Sequence, residues 1–231
     1  MLKILSLFFL LSAMSFAFKL SPDSFDKRID GRGSSEEITF WNDSMNTVRY
    51  KIYIDKGDNA KADMSKWVEI YPKVLTIKPK SSGKVRVFAQ APAGTPKGEY
   101  NFYLGARSMS IPLSEEKSTQ LALPIDLKIK MYGYNGDFTL ILDLRNYQFT
   151  QKNGKLHFKG TLVNNTENVS IKSQVVLVGS KKKEMFTTGR IRKGNFNFDI
   201  PLDDFKNPKD IKEILLIDEM SNKELRKIKT I

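Results

Sequence analysis

Side chains capable of catalysis are scarce in this 231-residue chain, which contains one histidine and no cysteine. A chain without cysteine has no disulfide bond, thiolate zinc site or thiol nucleophile. His157 lies in a predicted strand near Lys159, where a lone histidine is usually structural. The acidic cluster Asp55, Asp58 and Asp63 lacks the spacing of a calcium loop and is interpreted as a solvated loop. With no phosphate loop and no nucleophile turn either, the sequence predicts a non-enzymatic protein without metal or cofactor.

Charge points to a different kind of partner. Basic residues outnumber acidic ones by 38 to 26, and the formal net charge is +12. A basic surface attracts anionic partners over long distances. Nucleic acid is not an expected partner, because the sequence contains no recognition motif for it and the chain carries an export signal.

The export signal occupies residues 1–17. Lys3 supplies a positive start, residues 4–16 are almost continuously apolar, and Ser15-Phe16-Ala17 has small residues where a signal peptidase reads them. The apolar run is shorter than the roughly 20 residues that span a bilayer. We therefore predict cleavage after Ala17, export of the mature chain, and no membrane span within it.

The elements that position the remaining side chains are strands. Apolar and polar residues alternate with period two at residues 37–41, 48–54 and 100–106, and again at 156–163, 169–178 and 211–218. Asn153-Gly154 predicts a hairpin, and residues 203–210 predict one helical turn. The pattern restarts after residues 133–136. We predict an all-β chain of two tandem immunoglobulin-like β-sandwiches, at residues 18–132 and 137–231.

One predicted strand, at residues 118–132, could bind another chain. Its alternating apolar residues share one parity: Leu121, Leu123, Ile125, Leu127, Ile129 and Met131. At a sheet edge, such a strand offers a partner both unpaired backbone groups and a row of side chains. An ordinary strand facing its own core has the same alternation, so the pattern alone leaves both interpretations open.

The sequence around this strand resembles a known family. Residues 119–132 read TQLALPIDLKIKMY, and the preceding pieces, in order, are ITFWN at 38–42, VRYKIYI at 48–54, LTIKP at 75–79 and GEYNFYL at 98–104. Together they resemble the first domain of the periplasmic pilus-assembly chaperones of the chaperone-usher pathway. The resemblance covers most of residues 18–134.

The resemblance implies a function and a set of site residues. Family members are periplasmic, fold as two sandwiches in an L or boomerang, and hold an unfinished fimbrial subunit by donor-strand complementation, in some cases with an outer-membrane usher. Carried over by position, Lys130 and either Lys27 or Arg28 would anchor the carboxylate of the subunit. The donated side chains would be Leu121, Leu123 and Ile125. Adjacent strand residues point to opposite faces, so only one of Lys27 and Arg28 can face the anchor site.

Two departures from the family pattern keep an alternative open. Residues 133–135 read Gly-Tyr-Asn where the family has an aromatic-Arg-Pro run, and Pro124 removes one backbone N–H from the proposed donor strand. The alternative is a non-enzymatic structural or adhesive protein of the cell envelope, which would bind an anionic partner through its basic sandwiches.

Overall fold

The computed structural model describes residues 19–109 and 125–230, and these residues are almost entirely β-structure. Their only helical segments are two short 3-10 turns, at Ser65–Trp67 and Pro208–Asp210. The first compact unit contains the described residues of Met1–Pro96 and Tyr100–Asn135. The second contains Lys97–Glu99 and the described residues of Gly136–Ile231. The predicted all-β, two-sandwich fold class is confirmed, whereas the predicted signal segment lies outside the described residues.

The first unit contains two sheets. Its strands are β1 (Lys19–Ser21), β2 (Asp26–Arg28), β3 (Ser34–Asn42), β4 (Val48–Asp55), β5 (Val68–Tyr71), β6 (Val74–Ile77), β7 (Ser81–Ala89), β8 (Gly98–Ser108) and β9 (Asp126–Asn135). One sheet has the order β1-β3-β7-β5 and the other the order β2-β9-β8-β4-β6. The first two residues of β8 belong to the second unit. The N-terminal segment contributes to both sheets, because β1 pairs with β3 whereas β2 pairs in parallel with β9.

The core of the first unit lies between its two sheets. Period-two alternation turns one face of each strand inward, and both sheets supply fully buried side chains. Among them are Ile38, Phe40, Val85 and Val87 from one sheet, and Ile52, Phe102, Leu104 and Met131 from the other. This packing fixes which face of β9 points into the sandwich and which points away from it.

The second unit repeats this plan with antiparallel strands. They are β10 (Leu142–Lys152), β11 (Lys155–Asn164), β12 (Ile171–Gly179), β13 (Lys183–Ile191), β14 (Gly194–Pro201), β15 (Ile211–Asp218) and β16 (Lys223–Lys229). The sheet orders are β10-β11-β14 and β13-β12-β15-β16. Phe158 is fully buried at the centre of an aromatic cluster, where it stacks on Phe149 and contacts Phe198.

Local predictions fared unevenly. The hairpin at Asn153-Gly154 is present, and both residues adopt the positive φ that a tight turn between β10 and β11 requires. The helical turn predicted at residues 203–210 is reduced to the 3-10 turn Pro208–Asp210, because Phe205 is instead buried in the core of the second unit. Where the strand predicted at 118–132 is described, from residue 125 onward, the observed strand begins at Asp126 and continues past the predicted end to Asn135.

Candidate functional site

Strand β9 is paired differently along its two edges. In its sheet it lies between β8 and β2. Just before β9, Ile125 continues the pairing with β8, because the Ser108 amide donates to the Ile125 carbonyl at 2.8 Å. The short strand β2 pairs only with residues Tyr132 to Tyr134. Within residues 19–109 and 125–230, no strand pairs with the outer edge of β9 before Tyr132.

The direction of the backbone groups follows from two hydrogen bonds. The Tyr132 amide donates to the carbonyl of Phe25 at 2.7 Å, so the backbone groups of Tyr132 point to the outer edge. Those of Ile125 point to β8. Because successive residues of a strand alternate between its two edges, the amides and carbonyls of Asp126, Lys128 and Lys130 also point outward. The outer edge therefore presents the amide and carbonyl groups of three alternate residues, and another strand could form hydrogen bonds with these groups.

The inner face of β9 becomes less buried towards its beginning. Met131 is fully buried in the core, and Ile129 is half-buried and packs against the same core. Leu127 and Ile125 are half-buried, and neither belongs to that core cluster of described residues. Apolar side chains that are only half-covered on an unpaired edge can contact a partner strand.

The outer face of β9 carries a ladder of ion pairs to β8, β4 and the loop after β4. Asp126 accepts hydrogen bonds from Arg107 at 2.7 Å and from the Tyr53 hydroxyl at 2.5 Å. The Lys128 Nζ lies 2.7 Å from Asp55. The hydrogen bond from Tyr53 to Asp126, together with the bonds from Arg107, lowers the pKa of the Asp126 carboxyl.

Lys130 forms the most enclosed rung of this ladder. Its ammonium donates to Asp58 and lies 5.3 Å from the ring centre of Tyr132 and 6.0 Å from that of Tyr103. The Lys130 side chain is 18% exposed, against 46% for Lys128. Partial burial by itself lowers the Lys130 pKa, but the hydrogen bond to Asp58 and the nearby tyrosines outweigh it, and the net shift is upward. Lys130 is therefore a firmly charged ammonium on the outer face.

The loop that carries Asp58 is built around a buried amide. The Asp58 amide donates to the Asn101 side-chain oxygen at 2.9 Å, and Asn101 is only 5% exposed. Residues on the same loop bracket the Asn101 backbone, because the Met64 amide donates to its carbonyl and its own amide donates to the Ala62 carbonyl. A side chain at Gly57 would lie 2.3 Å from the Asn101 carbonyl oxygen, so only glycine fits there. These contacts of the loop with Asn101 fix the backbone position of Asp58.

The three basic residues predicted as carboxylate anchors have separate partners. The Lys27 ammonium lies 2.8 Å from Glu36 on β3, and the Arg28 guanidinium binds Asp30, with Nε 3.0 Å from Oδ1. In register, Lys27 lies opposite Gly133 and Arg28 opposite Tyr134. Paired residues point to the same face, so by alternation along β9 Arg28 shares the face of Lys130 and Lys27 does not.

The predicted donor side chains are only partly within the described structure. Ile125 is described and half-buried, whereas Leu121 and Leu123 lie outside the described residues. The assignment of Lys130, Lys27 and Arg28 as anchors, and of these three apolar residues as donors, stays a prediction.

Sequence reasoning missed the carboxylates opposite β9. Asp55 and Asp58 are ion-paired to Lys128 and Lys130, and Asp63 accepts hydrogen bonds from the amides of Gly57 and Ser65. The interpretation of this cluster as a merely solvated loop is therefore incomplete. The alternation of β9 does assign its two lysines to one face, but their partners lie about 70 residues away in the sequence.

Neither a metal cluster nor a membrane-spanning helix occurs among the described residues. Within 19–109 and 125–230, no three histidine or acidic side chains come together as metal ligands would. The same residues contain no helix long and apolar enough to cross a bilayer.

Comparison with known proteins gives likeness in fold. No family model and no curated protein matches the sequence. Among solved structures, the chain is similar to the periplasmic chaperone SfaE, with 13% identity, a TM-score of 0.46, and coverage of 92% of this chain and 98% of the other. The E. coli chaperone DraB shows 13% identity and a TM-score of 0.45, over 94% and 98% of the two chains. The class 5 fimbriae chaperone CfaA shows 16% identity and a TM-score of 0.45, over 88% and 92%. All three are likenesses of fold, at identities of 13–16%.

Proposed function

We infer that this chain is an exported, non-enzymatic chaperone that binds an incomplete β-rich subunit by adding the edge of β9 to it. The observation that carries this proposal is the outer edge of β9, which has no partner strand before Tyr132 within the described part of the chain. Strand addition uses such an edge directly, because its main-chain groups bind a partner strand and its alternate side chains fill pockets in it.

Backbone hydrogen bonds give the first contribution to binding. The outward amides and carbonyls of Asp126, Lys128 and Lys130 can pair with an incoming strand without disturbing the pairing of β9 to β8. Each such bond contributes about 0.5–1.5 kcal/mol net. These bonds contribute affinity but neither register nor specificity, because every extended chain offers the same groups.

Apolar side chains give the second contribution. Covering a half-exposed Leu127 or Ile125 stabilises the complex by part of the roughly 1.5–3 kcal/mol that full burial of such a side chain provides. The predicted donors Leu121 and Leu123 would extend the same row. Association costs about 4–15 kcal/mol, so this row barely exceeds the cost. A charge-assisted bond from Lys130 to a terminal carboxylate of the subunit would therefore contribute much of the net binding free energy.

The sequence supports a compartment and a client for this proposal. The predicted signal peptide at residues 1–17 would direct the chain to the periplasm, and the resemblance of residues 119–132 favours a fimbrial or related secreted subunit as the client. An outer-membrane usher would then receive the complex. The chemistry required of the client is an alternating apolar strand that ends in a free carboxylate.

Co-purification tests this function. The full chain, tagged at its C-terminus, is isolated from the envelope fraction, and bound proteins are identified by mass spectrometry. We expect a small β-rich protein with an alternating apolar C-terminus, retained at 1 M salt because a Lys130–carboxylate pair covered by the client is screened much less than an exposed pair. Leu127→Asp and Lys130→Ala should each lose it, and Lys227→Ala, which removes an exposed lysine in the second unit, should retain it.

Two results would contradict the proposal. Retention of the client by the folded Leu127→Asp variant would show that the edge of β9 is not the binding surface. Binding that disappears at high salt in the unmodified protein would favour an envelope protein that holds an anionic partner by charge.

A further inference from the structure

We propose that Asp58 is a built-in competitor for the Lys130 ammonium, which the terminal carboxylate of a client must displace, and that it thereby sets how strongly the chain selects a free carboxylate. This inference rests on the proposed function, since it concerns the same surface. Asp58 contributes no contact to the client in this scheme. It is a positioning residue that acts through Lys130.

The Lys130 ammonium is already occupied by a carboxylate. One of its three donors binds Asp58 Oδ2, and the ammonium also lies near the ring faces of Tyr132 and Tyr103. The Tyr103 hydroxyl donates to the second oxygen of Asp58 at 3.0 Å. A client carboxylate would therefore either replace Asp58 at the ammonium or share the ammonium with a like charge.

Asp58 is held at this position more firmly than a surface partner of lysine usually is. Its backbone amide is fixed to the buried Asn101 side chain, and the glycine before it packs against the Asn101 backbone. Exposed ion pairs gain little, in part because two long side chains must be ordered to form them. Here one of the two partners is ordered by the fold in advance, so the ion pair costs less to form.

The neighbouring ion pair on this ladder, between Lys128 and Asp55, is more exposed and serves for comparison. Lys128 and Asp55 are 46% and 43% exposed, whereas Lys130 and Asp58 are 18% and 33% exposed. Asp55 is the last residue of β4, and its carboxylate accepts an amide hydrogen bond from the adjacent Lys56. Asp55 therefore provides a matched control that has the same charge, the same face and a nearby position on the ladder.

Exchange of one carboxylate for another explains the expected effect. While Asp58 is charged, the carboxylate of the client contributes to the binding free energy only the difference between its own ion pair with Lys130 and the similar ion pair that it replaces. With Asp58→Asn, the ammonium loses its charged partner and the incoming carboxylate gains the whole pair. A gain of about three- to tenfold in affinity is the size expected for one partly exposed charged pair.

The test uses two synthetic peptides and the full chain. Both are fifteen-residue peptides of alternating valine and threonine, one with a free C-terminal carboxylate and the other with a C-terminal amide. Dissociation constants are measured for the unmodified chain and for Asp58→Asn, Asp58→Glu, Asp55→Asn and Lys130→Met. Circular dichroism establishes that each variant is folded.

The ratio of the two affinities is the decisive readout. We expect the unmodified chain to prefer the carboxylate peptide, Asp58→Asn to bind it about three- to tenfold more tightly with unchanged amide binding, and Lys130→Met to lose the preference. Asp58→Glu should restore the behaviour of the unmodified chain, and Asp55→Asn should leave the ratio unchanged.

The outcomes separate this inference from the proposed function. Binding of both peptides with a preference that Asp58→Asn does not alter would overturn the role of Asp58 and leave strand addition standing. An equal gain in affinity for the carboxylate peptide in Asp55→Asn would show that the effect comes from net charge alone. That result would also overturn the role of Asp58. Failure of every variant to bind either peptide would overturn strand addition, and the inference with it.

Discussion

The two ends of β9 have the same sequence pattern but opposite surroundings. From Tyr132 onward the strand has β2 on its outer edge, and Met131, Gly133 and Tyr134 are buried. Before Tyr132, the described part of the chain provides a partner on the β8 edge only, and the inward apolar side chains are half-buried. One continuous strand is therefore anchored at its end and left available at its beginning.

This difference bears on how a protein limits pairing at an open strand edge. Unpaired edges invite non-specific pairing, and proteins limit them by placing charges along the edge strand. Here Asp126, Lys128 and Lys130 alternate with the apolar side chains and are fixed to the sheet by the ladder of ion pairs. The charged face thus opposes non-specific pairing, and under the proposed function the apolar face would contact the client strand.

Amide hydrogen exchange would show the largest contrast between the two ends. We expect the outward amides of Asp126, Lys128 and Lys130 to exchange at least about a hundredfold faster than those of Leu127 and Ile129, which point to β8. The Tyr132 amide should be protected, since it donates to Phe25. Nuclear magnetic resonance measures each rate, and uniform protection along β9 would mean that its outer edge is covered.

Truncation of apolar side chains should separate the ends in stability. Met131→Ala removes a fully buried side chain whose sulfur also accepts the Phe25 amide, and we expect a loss of about 2–5 kcal/mol in the free energy of unfolding. Leu127→Ala should cost far less, because Leu127 is half-buried outside the core cluster. Urea unfolding compares the two, and equal losses would show that both ends are equally packed.

The sequence predicted the pattern of this strand but not its setting. Period-two alternation put Met131 and Lys130 on opposite faces, as the structure does, since parity depends on local geometry alone. Whether the outer edge is paired depends on β2, which contains only three residues and no alternation that a sequence pattern could detect. For the same reason the register of β2 on β9 could not be predicted, and with it which of Lys27 and Arg28 shares the face of Lys130.

The partners of Lys130 were beyond sequence reasoning for another reason. Asp58 reaches Lys130 because Asn101 holds the intervening loop, and Asn101 lies within β8, where alternation alone predicts an ordinary strand residue. A buried polar side chain that organises a distant loop leaves no periodic signal. The only local signal was Gly57, and a single glycine in a loop has many explanations.

Proline substitution should distinguish the two edges of β9. Lys128→Pro removes an outward N–H that no described strand accepts, and proline is tolerated at such edge positions. Leu127→Pro removes an N–H that points to β8 and leaves an acceptor there unpaired, at an additional cost of about 1–3 kcal/mol. Thermal unfolding should therefore give a clearly lower Tm for Leu127→Pro. Equal destabilisation by the two prolines would place a strand on both edges.

The smallest expected effect concerns the ladder on the outer face. The hydrogen bonds from Tyr53 and Arg107 lower the pKa of Asp126, and the one from Lys128 lowers that of Asp55. A carboxyl whose pKa is lower in the folded state stabilises that state above its unfolded pKa of about 3.9, and this stabilisation is lost as the pH falls through the folded value. Asp126→Asn should thus lower the Tm slightly at pH 7, by an amount that shrinks as the pH falls below about 3.9. Because the pair is exposed, 1 M salt should shrink the difference at pH 7 as well, and a difference that stays constant as the pH is lowered would assign it to packing rather than charge.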